Sequence, residues 1–146
     1  MSARSEWGTT PQQSIEAECA RRGRDAVVDG CARLIAGDYD DTSLIMALGG
    51  PGVRKFFDGR PHDDEYWFRV WGARGLLWVF TPEATTAVGA ALSDESWRVR
   101  EMAAKVAARH RIGDLLTEVA ALRDDPAPRV RAAAERAVKL LQQSQA

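Results

Sequence analysis

The chain has 146 residues, of which 45% are hydrophobic and 28% are charged, and this composition fits one globular domain and excludes disorder throughout. Residues 65 to 146 carry 12 basic and 10 acidic side chains, an excess too small to indicate nucleic-acid binding by itself. No stretch approaches the roughly 18 apolar residues of a membrane helix, and the amino terminus lacks the apolar core of a signal peptide. We therefore expect a cytoplasmic protein that does not enter a membrane.

Neither the cysteines nor the histidines form a pattern that indicates a metal site. Cys19 and Cys31 lie 12 residues apart, without a CxxC pair or a nearby histidine. Small buried thiols are the simpler interpretation, and we expect no metal and no cofactor. His62 in a turn and His110 at a helix end lack a neighbouring nucleophile or base, so we do not expect an enzyme.

The amino-terminal part of the chain is predicted to hold a tail and one hairpin. Residues 1 to 13 are polar and poor in apolar groups, which predicts a flexible tail. From Arg24 to Ile35 the apolar residues recur at helical spacing, and a glycine follows where a helix would end. A short second helix from Ser43 to Leu48 completes a degenerate first hairpin within residues 14 to 50.

The rest of the sequence repeats itself at a fixed offset of 31 positions. The shift superposes an apolar residue and an arginine in three places: Phe68-Arg69, Val99-Arg100 and Val130-Arg131. An aspartate stands six residues before each arginine, at Asp63, Asp94 and Asp125. This register predicts three repeats, over residues 51 to 80, 81 to 111 and 112 to 142, which join the first hairpin in a single domain spanning residues 14 to 146.

Each repeat is predicted to contain two helices. The first helices lie near residues 52 to 59, 82 to 92 and 112 to 122, and the second helices lie near 64 to 79, 95 to 109 and 126 to 142. Pro82 and Pro126 fit the first helical turn, where a missing N–H is tolerated. One apolar stripe on each second helix packs against the first helices, and no hairpin buries its apolar faces alone. The prediction is an all-α fold, a short solenoid of about four stacked helical hairpins.

The repeated pattern resembles HEAT repeats, especially the short HEAT-like units of bacterial proteins. The resemblance covers about residues 52 to 142, and Asp94 with Val99-Arg100 and Asp125 with Val130-Arg131 carry it. It implies a right-handed superhelix of antiparallel helix pairs in which the second helices line a concave surface for peptides, proteins or nucleic acid. It also implies that the aspartates and arginines form a ladder of ion pairs that braces successive repeats, built from Asp63, Asp94, Asp125, Arg69, Arg100 and Arg131.

The second helices carry a further stripe opposite the apolar one, and this stripe is our candidate binding face. Stacked repeats would align its members into columns, one of Arg74, Lys105 and Arg136 and another of Trp67, Arg98 and Arg129. Tryptophan and arginine dominate binding hot spots because each buries a large rigid surface and still offers a donor. We therefore expect a small non-enzymatic adaptor that binds an acidic protein or peptide segment. The predicted binding residues are Trp67, Arg74, Trp78, Arg98, Glu101, Lys105, Arg109, Arg129 and Arg136.

Other hypotheses remain open at this point. The chain could be a nucleic-acid-binding protein related to the HEAT-like alkylpurine DNA glycosylases, which hold duplex DNA in a basic concave groove. Its second-helix stripe, however, has Glu101 as its one acid and no aspartate in a catalytic position. A self-associating array, in which Leu140 and Leu141 pack against another copy, is a third hypothesis. A merely solvated second-helix face is the alternative to all three.

Overall fold

The computed structural model describes residues 10–60 and 62–145, and these ranges contain helices and no strand. The α-helices of this part of the chain are α1 (Pro11–Arg22), α2 (Arg24–Ile35), α3 (Thr42–Gly49), α4 (Tyr66–Gly75), α5 (Thr85–Ala91), α6 (Trp97–Arg109), α7 (Leu116–Ala121) and α8 (Pro128–Gln145). Short 3-10 segments lie at Pro51–Phe57, Pro82–Ala84, Gly113–Leu115 and Leu122–Asp124. The predicted all-α class is confirmed.

Helix α1 corrects the prediction of a flexible tail through residue 13. Thr10 Oγ1 accepts a hydrogen bond from the Gln13 backbone N–H at 3.1 Å, and the Gln13 side chain accepts one from the Thr10 N–H at 2.9 Å. This reciprocal capping box satisfies two backbone donors at the start of the helix. Ile15 is fully buried and attaches α1 to the core. Residues 1 to 9 of the predicted tail lie outside the described ranges.

The second helices of the repeats form a continuous layer. Helix α4 packs against α6, and α6 packs against α8. The predicted second helices near 64 to 79, 95 to 109 and 126 to 142 correspond to these three helices, although α8 begins at Pro128 rather than at Pro126. Each of these three helices also packs against one further helix: α4 against α2, α6 against α5 and α8 against α7.

The partner of α4 differs from the prediction. Residues 52 to 59 were predicted to be the first helix of that repeat, but the chain there forms the 3-10 segment Pro51–Phe57. Helix α2 instead lies along α4 and also contacts α5. Helix α3 and the 3-10 segment are therefore an insertion between the two members of one helix pair, and α3 packs against α1 and α4.

Glycine explains why α2 can lie so close to α4. A Cβ atom at Gly72 would stand 2.9 Å from the Cys31 carbonyl oxygen and 2.9 Å from the Leu34 Cβ atom. A Cβ atom at Gly75 would stand 2.8 Å from the Cys31 sulfur. These distances are shorter than atoms in van der Waals contact adopt, so the interface between α2 and α4 admits no side chain at either position.

Cys31 lies at this same interface, Cys19 lies on α1, and both cysteines have the chemistry of core residues. Cys31 is fully buried, and burial raises the pKa of its thiol to about 12. Cys19 is half-buried, and both are free thiols. Since the thiolate is the reactive form of cysteine, Cys31 is inert at neutral pH.

Within the described ranges, no helix is both long and apolar enough to cross a membrane.

Replacing Gly72 with alanine should destabilise the fold. Alanine is favoured over glycine in a helix by about 1 kcal/mol, but the clash with Cys31 and Leu34 should cost about 2 to 3 kcal/mol. We expect a net loss of about 1 to 2 kcal/mol in the free energy of unfolding, measured by urea denaturation. Gly52→Ala is the matched control, because a Cβ atom there meets no atom within 4 Å. Equal stability of the two variants would contradict the close-approach argument.

Candidate functional site

An arginine–aspartate ladder joins each second helix to the next repeat. Arg69 Nε lies 2.8 Å from Asp94 Oδ2, and Arg100 Nε lies 2.7 Å from Asp125 Oδ2. In both pairs the arginine Nη2 donates to the other carboxylate oxygen, at 3.2 Å and 3.1 Å respectively. Two parallel bonds make the pairing directional as well as strong. Each arginine thus reaches forward by 25 residues, to the aspartate of the following repeat.

Within a repeat, the arginine donates to the carbonyl oxygen of the aspartate six residues earlier and not to its carboxylate. Arg100 Nη1 donates to the Asp94 carbonyl oxygen at 2.7 Å, and Arg131 Nη1 donates to the Asp125 carbonyl oxygen at 2.7 Å. Asp94 and Arg100 of one repeat are therefore joined through the backbone, whereas the side-chain ion pairs join successive repeats. Each aspartate also accepts from the N–H two residues later, at Ser96 and Ala127. The ladder consequently fixes both the helix spacing and the turn that precedes each second helix.

The first predicted aspartate lies outside this ladder. Asp63 is exposed and takes part in none of the described ion pairs, because the position that would match Arg69 one repeat earlier is Asp38. Arg69 Nη1 donates instead to the Tyr39 hydroxyl at 2.8 Å. The hydrogen bonds with Asp94 raise the pKa of the Arg69 guanidinium above its ordinary value. Tyr39 thus completes the ladder at its amino-terminal end, a role that the sequence repeat did not indicate.

A second ladder, which we call the tryptophan–arginine stack, consists of Trp67, Arg98, Trp97 and Arg129. The Arg98 guanidinium carbon lies 5.2 Å from the centre of the Trp67 ring and 4.4 Å from that of Trp97. The Arg129 guanidinium carbon lies 5.7 Å from the centre of the Trp97 ring. Cations over indole rings attract the ring quadrupole. The predicted column Trp67, Arg98 and Arg129 is thus brought together, and Trp97, absent from the predicted set, lies between its arginines.

Glu101 lies beneath the stack rather than on an open binding surface. Its carboxylate accepts from Arg129 Nε at 2.9 Å and lies 3.9 Å from Lys105 Nζ, and the residue is only 9% exposed. A buried carboxylate requires such partners because its desolvation is otherwise costly. Glu101 therefore orients Arg129 and offsets part of the positive charge of the face.

Arg74 and Trp78 are also committed to the fold. Arg74 Nη2 donates to the Leu48 carbonyl oxygen at 2.7 Å, near the carboxyl end of α3. Burial lowers the pKa of this guanidinium, and the carbonyls at the helix end provide the compensating negative dipole. Trp78 is half-buried and packs against the core. The predicted column of Arg74, Lys105 and Arg136 is therefore not uniform, since its first member ties α4 to the inserted helix.

The remaining predicted residues are accessible. Lys105 is half-exposed, and Arg109 and Arg136 are exposed. Leu141, predicted as a surface for self-association, is fully buried inside the chain, and Leu140 is half-buried. We define the second-helix face as the stack together with Lys105, Arg109 and Arg136.

Two cavities border the stack, and their charges differ. One, of about 580 Å³, opens between the amino ends of α4 and α6. Its lining includes the carboxylates of Asp63, Glu65 and Glu95 and the guanidinium groups of Arg69 and Arg98, so acidic groups are in the majority on this side of the stack. The other cavity, of about 290 Å³, is lined by Gly49, Gly52, Lys55, Phe56, Trp67 and Trp71. Trp71 is half-buried and forms part of this second cavity.

The histidines serve the fold. His110 Nε2 lies 2.6 Å from the Leu76 carbonyl oxygen, and its ring stacks on Phe80 with centres 4.6 Å apart. Burial lowers the pKa of His110, which keeps the imidazole neutral near pH 7 and able to donate one hydrogen bond. His62 Nε2 lies 3.0 Å from Asp58 Oδ1 in an exposed turn. No group of histidine, cysteine, aspartate and glutamate in the described ranges is arranged to hold a metal ion.

The ladder should contribute more to stability at Arg100 than at Arg131, which lies at the end of the array. Arg100→Met removes both bonds to the buried Asp125 carboxylate and should cost about 3 kcal/mol. Arg131→Met removes only carbonyl contacts and should cost about 1 kcal/mol. Urea denaturation of the two variants measures the difference. Equal losses would show that the carboxylate pair adds nothing to the stacking of the repeats.

The same pair should make stability depend on pH. The Arg100 hydrogen bonds lower the pKa of the Asp125 carboxyl below its ordinary value of about 3.9. The contribution of the Asp125 carboxylate to the free energy of unfolding is therefore complete above about pH 5, and it is lost as the pH falls through the pKa of the folded state. The free energy of unfolding should fall less steeply below pH 5 in Arg100→Met than in the wild type. If stability falls equally steeply below pH 5 in the variant and the wild type, the assignment of this pKa shift to Arg100 is contradicted.

Comparison with known proteins agrees with this geometry. The family of HEAT repeats matches residues 53–139, which is more than half of the chain. The searches of curated proteins and of solved structures gave no match. HEAT repeats generally mediate protein–protein interactions and are typically non-enzymatic scaffolds. The match, the paired helices and the forward-reaching ladder together identify the chain as a member of the HEAT repeat family.

Proposed function

We propose that the protein is a non-enzymatic interaction module whose second-helix face binds an acidic segment of a partner protein. The observation that carries this proposal is the tryptophan–arginine stack, which runs across the first turns of α4, α6 and α8. The stack places rigid aromatic surface and guanidinium donors in one continuous strip. Such residues supply most of the binding energy of typical protein interfaces.

The charge of the face supports an acidic partner. Arg98, Lys105, Arg109, Arg129 and Arg136 lie on it, whereas Glu101 is buried and shared between two cations. The Arg98 guanidinium is half-buried between two indole rings and forms no described ion pair, so its hydrogen-bond donors suit an incoming carboxylate. A charge-assisted bond to such a partly desolvated cation is stronger than one in open water.

The neighbouring carboxylates define the direction in which an acidic segment would lie. Asp63, Glu65 and Glu95 line the larger cavity beside Trp97 and Arg98. They would repel a negatively charged chain on that side. An acidic segment is therefore directed along the face towards Lys105 and Arg136, away from the cavity that these carboxylates line.

Charge reversal at two face positions tests the proposal. Lys105→Glu/Arg136→Glu should abolish the retention of acidic proteins from a cell lysate at low ionic strength, because it replaces attraction with repulsion along the strip. Mass spectrometry and nucleic-acid staining of the retained material measure both classes of partner. Raising the salt concentration should weaken retention by the wild type, since exposed charges are screened within about 10 Å at 0.1 M salt.

A matched control carries the same change of charge on other helices. Arg33→Glu/Arg123→Glu alters exposed residues of α2 and of the turn after α7, away from the second-helix face. It should retain the same acidic proteins as the wild type. Loss of binding in the control as well would show that binding depends on the net charge of the protein and not on the position of the cations. Selective loss of nucleic acid in the face variant would instead favour the alternative, a nucleic-acid-binding protein related to alkylpurine DNA glycosylases.

A further inference from the structure

The smaller cavity beside the stack has the dimensions of a single large side chain. We call it the anchor pocket, and its volume is about 290 Å³, at the lower limit for a small-molecule site. Three aromatic rings form its walls: the Phe56 ring stands edge-on to Trp71 with centres 6.1 Å apart, and Trp67 stacks on Trp71 at 6.4 Å. The pocket is therefore lined mainly by aromatic surface, which suits an apolar group.

Glycines keep the pocket open. A Cβ atom at Gly49 would stand 2.8 Å from the Trp71 ring, so the ring lies directly on the backbone at the end of α3. At the exposed Gly52 a Cβ atom would meet nothing within 4 Å, so this side of the pocket is open to solvent. The wall at Gly49 is tightly packed and the wall at Gly52 is open, which distinguishes this cavity from the filled core below it.

The pocket and the basic face share one residue. Trp67 lines the pocket and at the same time lies under the Arg98 guanidinium, 5.2 Å from its ring centre. Lys55 is a second cation on the pocket lining, with a side chain that is 59% exposed and 3.1 Å from the Asp64 carboxylate. An apolar side chain in the pocket would therefore place the neighbouring residues of its own chain beside Arg98 and Lys55.

We infer that the anchor pocket holds one apolar side chain, of leucine or aromatic size, from the same acidic segment that binds the second-helix face. This inference rests on the proposed function and specifies the partner further, as a segment in which acidic residues flank an apolar one. The apolar residue fixes the register of the segment, because an acidic chain without it could slide along the cations. Charge thus favours association, and the pocket selects the sequence.

Synthetic peptides of about ten residues test the inference through fluorescence anisotropy. The probes are a glutamate-rich peptide with one central leucine, the same peptide with alanine in its place, and a leucine peptide with glutamine in place of glutamate. The wild type should bind the leucine–glutamate peptide about tenfold more tightly than the alanine–glutamate peptide, a ratio equivalent to about 1.4 kcal/mol. The indole resonances of Trp67 and Trp71 should shift more with leucine than with alanine, and this readout needs no variant.

Gly52→Leu provides the matching change in the protein, because Gly52 lines the pocket and a leucine there, with open space around its Cβ atom, should cover the pocket mouth. It should bind the two glutamate peptides equally and retain the weaker affinity of the alanine peptide. The control Ala36→Leu adds the same side chain at an exposed position at the end of α2 and should keep the tenfold preference. Thermal unfolding checks that both variants are folded.

The outcomes separate this inference from the proposed function. If the wild type binds the leucine and alanine peptides equally, or if the preference for leucine persists in Gly52→Leu, the anchor pocket is contradicted. The proposed binding of an acidic segment is not affected by either result. Equal binding of the glutamate and glutamine forms of the leucine peptide overturns the acidic partner and keeps the pocket as an apolar site. Failure of every peptide to bind the wild type contradicts both.

Discussion

The arginine that reaches forward to the aspartate of the next repeat is the interaction on which the arrangement of the second helices depends. Arg69 holds Asp94 and Arg100 holds Asp125, each through two parallel bonds. Apolar burial drives the helices together but does not fix how far one slides along the next, because it is not directional. The bidentate pairs supply that direction. Trp67 and Arg98 stand two residues before Arg69 and Arg100, so the register that joins the ladder also brings the tryptophan–arginine stack into line.

The second-helix face shows how the fold divides charged residues between structure and binding. Arg74 and Glu101 belong by spacing to the same stripe as Lys105 and Arg136, yet the first is bonded to the end of α3 and the second is buried under Arg129. Each had to find a partner because an unpaired charge in that position would be costly. The cations that remain accessible stand on helices, and Arg98 and Arg129 also lie over indole rings, which limits the entropy lost when they bind.

The insertion between α2 and α4 gives the amino-terminal end of the array its individual character. Later repeats connect their two helices directly, whereas here α3 and the 3-10 segment Pro51–Phe57 extend over the side of α4. This extension contributes Phe56, Gly49 and Gly52 to the anchor pocket, while α4 contributes the tryptophans. The specificity that we propose for the module therefore arises at the boundary between a regular repeat and an irregular one.

The sequence by itself determined the repeat length, the class of fold and the residue types of the ladder, because helical periodicity and a fixed offset are local properties of the chain. It also indicated the column of Trp67, Arg98 and Arg129, since stacking of equal units aligns equal positions. Tertiary structure alone decided which partner each group took. Asp94 could pair with Arg100 or with Arg69, and only the distance between neighbouring helices selects Arg69. Likewise, α2 rather than the nearer segment lies on α4, because Gly72 lets Cys31 approach at a distance that no sequence pattern encodes.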